Sequence, residues 1–294
     1  MLSVLICSVN DELLRQVKQN IAETVGVPHE ILVWDNKASN DGICRVYNRL
    51  ADDAQYSLLL FLHEDVTFQT INWGQKLVQK FEEDSAVGLI GVAGSRYKGK
   101  MYSGWYTSNK EIDLYNIIHT DGKQVNAMLN RADTSTHYHD AVCIDGVFMM
   151  CRKNVWEQIR FDEQLLKGFH FYDLDFSVRV AAVTKVLVVT DVTLVHHTNG
   201  GDYGSRWVNE AFIYHAAKEN ELPVSVGEIP AGFELQLAAC WLDWLKDKPV
   251  SFSYRIQWVW RQQLWKYPSL WYAIAKFLFY RPTGLLYLHR LIKQ

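Results

Sequence analysis

The chain has 294 residues, 49% of them hydrophobic and 21% charged, which excludes general disorder and suits one large α/β domain with an appendage or two small domains. Its net charge of −3 is unevenly spread: eight Lys and Arg and no acid lie from Lys248 to Gln294, leaving 22 basic against 33 acidic groups before them. An acidic body with no recognition motif argues against a nucleic-acid partner, and five scattered cysteines with no CxxC pair argue against zinc.

Ser3–Ser8 reads as a first strand, followed by a helix from Asp11 to about Val25 with Asn10 as its N-cap and Gly26-Val27-Pro28 as its stop. Glu30–Trp34 is a second apolar run, ending in Asp35-Asn36. A polar loop over Lys37–Gly42 leads to a helix near Ile43–Leu50. Leu58–Leu62 is a continuous apolar run, as in a strand buried on both faces, and it stops abruptly at His63-Glu64-Asp65. A helix over Trp73–Glu83 and a strand over Ala86–Ala93 complete an alternation that predicts a mostly parallel sheet with helices on both faces.

Residues 94–140 are rich in Gly, Ser, Tyr, Asn and His, and read as a long excursion with hairpins over the sheet's edge. The sheet resumes at Ala141–Cys151, followed by a short helix over Lys153–Ile159 and a loop over Phe161–Gly168. Tyr172 to Val183 has helical spacing. Lys185–Val189 and Val192–Val195 are short strands, the second leading into His196-His197. After Gly200-Gly201 the pattern is helical, with breaks at Pro223, Pro230, Pro249, Pro268 and Pro282.

Four polar clusters therefore terminate four apolar runs: Ser8-Val9-Asn10, Asp35-Asn36, His63-Glu64-Asp65 and His196-His197. At the carboxyl edge of a doubly wound sheet all four can converge on one rim. Each alone is also explained by a capped, solvated strand end. Asp65 with a histidine suits Mn²⁺ or Mg²⁺, and Mn²⁺ tolerates imidazole better. Asp173 and Asp175 fall at a predicted helix start, where carboxylates meet the dipole favourably whether or not they act as a base.

The order of these motifs resembles the inverting glycosyltransferases of family 2, with the GT-A fold. Ser3–Asn10 resembles the family's opening strand and terminal Asn, and Asp35-Asn36 with Ser39, Asp41 and Gly42 resembles its "DN-x-S-x-D-G" loop, one residue longer. Leu58–Val66 corresponds to the strand ending in the DxD motif, here His-Glu-Asp as in a bacterial subgroup. Asp145-Gly146, Phe161-Asp162-Glu163 and Tyr172-Asp173-Leu174-Asp175 with Arg179 follow the family's later order. The resemblance covers about residues 1–205, read as the GT-A domain, with 206–294 a helical, basic, aromatic-rich extension. It implies Asp173 as the catalytic base, from the family's "ED-x-D" segment, and Asp65 with His196 or His197 as metal ligands. Ser8, Asn10, Asp35, Asn36, Glu64 and Asp145 are expected around the nucleotide sugar. In two places the pattern departs from the family's: His63 replaces the first Asp of DxD, and Tyr172 the usual Glu before the base.

The implied activity is metal-dependent, inverting transfer from a UDP- or dTDP-linked sugar to a saccharide or lipid-linked saccharide acceptor in surface polysaccharide synthesis. A catalytically degenerate sugar-nucleotide-binding or interaction protein of the same fold is the alternative. Ser8–Glu12 has no glycine for the phosphate loop of a pyrophosphorylase. The N-terminus lacks a signal-peptide pattern, and no apolar window reaches the ~18 residues of a spanning helix, so a cytoplasmic location is expected. Trp, Tyr, Lys and Arg crowd residues 250–294, a composition suited to the anionic inner face of the cell membrane or, alternatively, to packing on the catalytic domain.

Overall fold

The computed structural model describes residues 1–129, 136–198 and 203–280. The expected breaks at Gly200-Gly201 and Pro282, and the basic Arg281, Arg290 and Lys293, lie outside these residues. The chain opens with β1 (Leu2–Ser8), α1 (Asp11–Thr24), β2 (His29–Asp35), α2 (Ile43–Asp53) and β3 (Leu58–Leu62). Next come β4 (Val66–Phe68), α3 (Trp73–Glu83), β5 (Val87–Gly91), β6 (Ala93–Ser95) and β7 (Tyr97–Lys98). The excursion then forms β8 (Asp113–Thr120), β9 (Val125–Leu129) and β10 (Tyr138–Ala141). It is followed by β11 (Cys143–Ile144), β12 (Phe148–Arg152), α4 (Lys153–Ile159), α5 (Tyr172–Ala181), β13 (Lys185–Val189) and β14 (Leu194–His197). The helical extension holds α6 (Ser205–Ala217), a short β15 (Val224–Ser225), α7 (Phe233–Leu245), α8 (Phe252–Arg261) and α9 (Trp271–Phe279).

A seven-stranded sheet in the order β10-β13-β5-β12-β3-β1-β2 forms the centre of this α/β fold. β1 runs parallel to β2 and β3, and β13 parallel to β5, as the βαβ alternation predicts. The sheet is nevertheless mixed, because β12 lies antiparallel between β3 and β5 and β10 antiparallel to β13. The apolar run 141–151 reads as one strand but breaks at Asp145-Gly146-Val147, so its first part joins a second sheet as β11. That second sheet runs β11-β6-β8-β14-β4, with β9 pairing on β8. The excursion is thus largely strands, and the β8–β9 hairpin is the pairing expected of it.

Period-2 alternation fills a core on each face of the central sheet. Val4, Ile6, Leu60 and Leu62 face α1 and α3, where Ile21, Trp73 and Leu77 are buried. Leu5, Leu59 and Phe61 face α2, α4 and α5, against Tyr47, Trp156 and Phe176. The helical extension shares this second core, contributing Trp207, Trp241, Trp258 and Phe277. Trp207 and Trp241 stack with ring centroids 5.1 Å apart, and Trp241 Nε1 donates to the Tyr106 carbonyl at 3.0 Å. Replacing this buried ring should therefore loosen more than its own helix. Trp241→Ala is expected to lower the unfolding free energy by about 3–5 kcal/mol in urea denaturation; a loss below about 1 kcal/mol would mean the extension does not share the core.

Candidate active site

The parallel register puts Ser8 beside Asp35 and Ile6 beside Leu62, so the residues after β1, β2 and β3 emerge at one rim. Glu64 is buried beneath the turn that follows β1. Its carboxylate accepts hydrogen bonds from Ser8 Oγ at 2.6 Å, Val9 N at 3.1 Å and Asn10 N at 3.2 Å. Asn10 Oδ1 in turn caps α1, accepting from Glu12 N and Leu13 N. Ser8, Asn10 and Glu64 thus hold one another and fix the shape of this turn. Asp35 lies exposed at the end of β2 and accepts from Lys37 N at 3.1 Å. Asn36 closes the next loop, with Oδ1 accepting from Ser39 Oγ and Asp41 N, both at 2.8 Å.

Beyond β3 the chain enters β4, which pairs antiparallel with β14 and sets Val66 opposite His196. The backbone bond from His197 N to the Asp65 carbonyl, 2.8 Å, extends this pairing by one step. His196 Nε2 consequently lies 3.3 Å from Asp65 Oδ1, and His63 Nδ1 lies 3.9 Å from the same oxygen. Asp65, His63 and His196 each offer one ligand atom to a space small enough for a single cation. His197 stands outside this group: its side chain is exposed and its Nε2 lies 2.9 Å from Thr67 Oγ1.

The donor set fits a divalent cation. His63 Nε2 is 2.9 Å from the Tyr172 hydroxyl, which itself donates to the Gly146 carbonyl at 3.2 Å. In the tautomer that carries its proton on Nε2, His63 donates to the Tyr172 oxygen and the lone pair on Nδ1 faces Asp65. Burial, then repulsion from His196, holds His63 below its ordinary pKa and so favours the neutral form that a ligand takes. Burial opposes charge on Asp65, but the pull of His196 and His63 holds its carboxyl below the usual range. One carboxylate and two imidazoles suit Mn²⁺ better than Mg²⁺.

Tyr172 can reach His63 only because residue 146 is glycine: a Cβ there would stand 2.1 Å from the tyrosine oxygen. Asp145 and Asp173 flank that glycine. Asp173 accepts from Gly146 N at 3.0 Å and Leu174 N at 2.9 Å, while Asp145 accepts from Val147 N at 2.8 Å and Trp105 Nε1 at 2.6 Å. Burial, reinforced by the neighbouring Asp145 charge, pushes the Asp173 carboxyl up to about 7. The start of α5 is fixed from behind. Phe171 adopts φ 64°, a left-handed conformation unusual for an aromatic residue, and is wedged between Trp207 and Tyr214 of α6.

Four further residues enter the site beyond those expected to bind or act there. Tyr172 and His63 stand in the sequence as departures from a motif; the structure makes them partners. Trp105 holds Asp145 from within the excursion. His119 lies on β8 in register with His196, with ring centroids 5.4 Å apart. Nδ1 of both His119 and His196 is buried without a hydrogen-bond partner among the described residues. An isolated histidine in a polar stretch gives no signal of this, since only the pairing of β8 with β14 brings it to the rim.

Residues 3–219 match the family described as "Glycosyltransferase like family". Among solved structures the chain is similar to GalNAc-T7 with UDP, GalNAc and Mn²⁺, at 12% identity and a TM-score of 0.49, covering 72% of this chain and 47% of that one. The chain thus spans about half the length of that protein. It is also similar to the mannosyltransferase PcManGT from Pyrobaculum calidifontis in complex with GDP-Man and Mn²⁺, at 14% identity, TM-score 0.48, covering 94% and 84%. A third likeness is S. aureus TarS 1-349 in complex with UDP, at 11% identity, TM-score 0.48, covering 83% and 71%. The comparison with curated proteins returned no match.

The geometry separates the three histidines in a titration with Mn²⁺ followed by electron paramagnetic resonance. Asp65→Ala should abolish binding, and Tyr172→Phe, which releases His63, should weaken it about 10-fold or more. His197→Ala should leave it unchanged. Loss of binding in His197→Ala with retention in Tyr172→Phe would reverse the assignment.

Proposed function

The chain belongs to this glycosyltransferase-like family, and from that footing we propose that it is a metal-dependent, inverting transferase acting on a nucleotide-diphosphate sugar. The observation that carries the reading is the placing of a cation-ready trio, Asp65, His63 and His196, on the same rim as an aspartate whose carboxyl is raised to about 7. A bound cation would neutralise charge on the departing diphosphate. Asp65 and the two imidazoles would hold it. The turn over Ser8–Asn10, stiffened by Glu64, and the carboxylate of Asp35 would seat the nucleoside. Asp173 would take the proton of the acceptor hydroxyl, and its raised pKa suits a base that works near neutral pH. Asp145 keeps that pKa high by its charge while Trp105 and Val147 N fix its position.

In this reading the donor is UDP- or dTDP-linked. The acceptor is a saccharide or lipid-linked saccharide of a surface polysaccharide, elongated at the inner face of the cell membrane. His63 in place of a DxD aspartate favours one rival, a degenerate sugar-nucleotide-binding protein, and the base variant discriminates the two. Asp173→Asn is expected to reduce turnover at least about 10²-fold while leaving Mn²⁺-dependent nucleotide binding within about 2-fold. Undiminished turnover would remove Asp173 from the chemistry.

The pH profile supplies a second test. A base must be deprotonated, so kcat/KM should rise with pH and level off above about 7, the value to which Asp173 is raised. Asp145→Asn removes the like charge, and the rising limb should move to lower pH; an unmoved limb would show that another group titrates.

A further inference from the structure

We infer that α8, α9 and the 3₁₀ turns joining them form one docking face for an anionic bilayer surface. The face is an aromatic patch that the fold leaves uncovered. Along one flank of α8, Phe252, Ile256 and Trp260 are exposed, while Arg255, Trp258 and Val259 are buried in the core. On α9, Trp271, Tyr272 and Phe279 are exposed while Phe277 is buried. Exposure is large for such side chains: 69% for Trp260, 76% for Tyr272 and 71% for Phe279. These rings meet in two groups, one at each end of the exposed flank of α8. Phe252 meets Phe279 with centroids 6.4 Å apart, Trp260 stacks on Trp265 at 5.9 Å, and Trp271 Nε1 donates to the Trp265 carbonyl at 2.9 Å.

Charge selects the occupant. Residues 248–280 carry five Lys and Arg and no acid, although the rest of the chain is strongly acidic. The cations stand beside the exposed rings: Lys266 Nζ lies 5.4 Å from the Trp265 centroid and Lys276 Nζ 5.6 Å from that of Tyr272. Lys276 also lies 3.8 Å from Asp243, which itself pairs with Lys246 at 2.8 Å. A second copy of this chain would bring like-charged faces together, whereas an anionic headgroup layer complements the lysines and receives the amphipathic rings at its boundary. Among the described residues no helix is long and apolar enough to cross a membrane, so the face would lie on the bilayer. The same core that holds Trp207 and Trp241 anchors these helices, so the docking face has a fixed orientation relative to the transfer site. The inference stands apart from the transfer chemistry proposed above, and its test does not read activity.

Flotation of the full chain with phosphatidylcholine vesicles, with and without about one third phosphatidylglycerol, tests it. The unaltered chain should float with the anionic vesicles, remain behind with the neutral ones, and detach as salt is raised. The triple variant Trp260→Ala, Trp271→Ala and Phe279→Ala removes only exposed rings. It should keep its thermal transition and lose about 10-fold of vesicle binding. Failure of the unaltered chain to float, or equal flotation of the triple variant, would overturn the inference. So would a dimer in sedimentation that the same substitutions dissolve, since the patch would then belong to a second copy.

Discussion

The antiparallel pairing of β4 with β14 is the contact on which the site depends. Three residues of ladder, extended by the bond from His197 N to the Asp65 carbonyl, bring together side chains more than 120 residues apart in sequence. Burial and the neighbouring His196 hold His63 below its ordinary pKa, while His196 and His63 hold the Asp65 carboxyl below the usual range. One carboxylate and two imidazoles this close form a donor set that suits a divalent cation. β14 is held on its other edge by β8, so the β8–β9 hairpin supports the strand that carries His196.

A second constraint works through volume. Gly146 admits the Tyr172 hydroxyl, Tyr172 orients His63, and the backbone N–H of Gly146 supports the Asp173 carboxylate. One missing side chain thus couples His63 to Asp173. The coupling extends to the helical extension, because Phe171 is locked by Trp207 and Tyr214 just before Asp173. Sheet, base and extension form one packed unit, which is why the extension is better regarded as a wall of the site than as a passive addition.

Much of this arrangement is legible in the sequence, and the boundary is a physical one. β1, α1, α2, β3 and α5 follow from local patterning: continuous apolar runs, an Asn cap, helical spacing. The convergence of Ser8, Asp35 and Asp65 on one rim follows from parallel topology alone. What cannot be read locally is pairing at long range. The run 141–151 looks like one strand, but the break at Asp145-Gly146-Val147, which seats Tyr172, sends β11 and β12 to different sheets. Glu64, an acid in a motif position, turns out to be spent on the Ser8–Asn10 turn, since burial leaves both its oxygens hydrogen-bonded to that turn. His196 and His197 are equivalent in sequence, but successive strand residues face opposite ways, and only His196 turns to Asp65. The aromatic residues of the C-terminal stretch divide in the same manner, into Trp258 and Phe277 inside and Trp260, Trp271 and Phe279 outside.

Cation-assisted cleavage of a nucleotide sugar is the chemistry proposed for this rim. It is tested most directly by release of nucleoside diphosphate from a panel of UDP-, dTDP- and GDP-linked sugars, with Mn²⁺ and then with the metal chelated. Release is expected from at least one donor with Mn²⁺, abolished by chelation and restored by adding the metal back. No release and no binding across the panel, with Mn²⁺ present, would contradict it and leave the chain as an interaction protein built on a transferase fold.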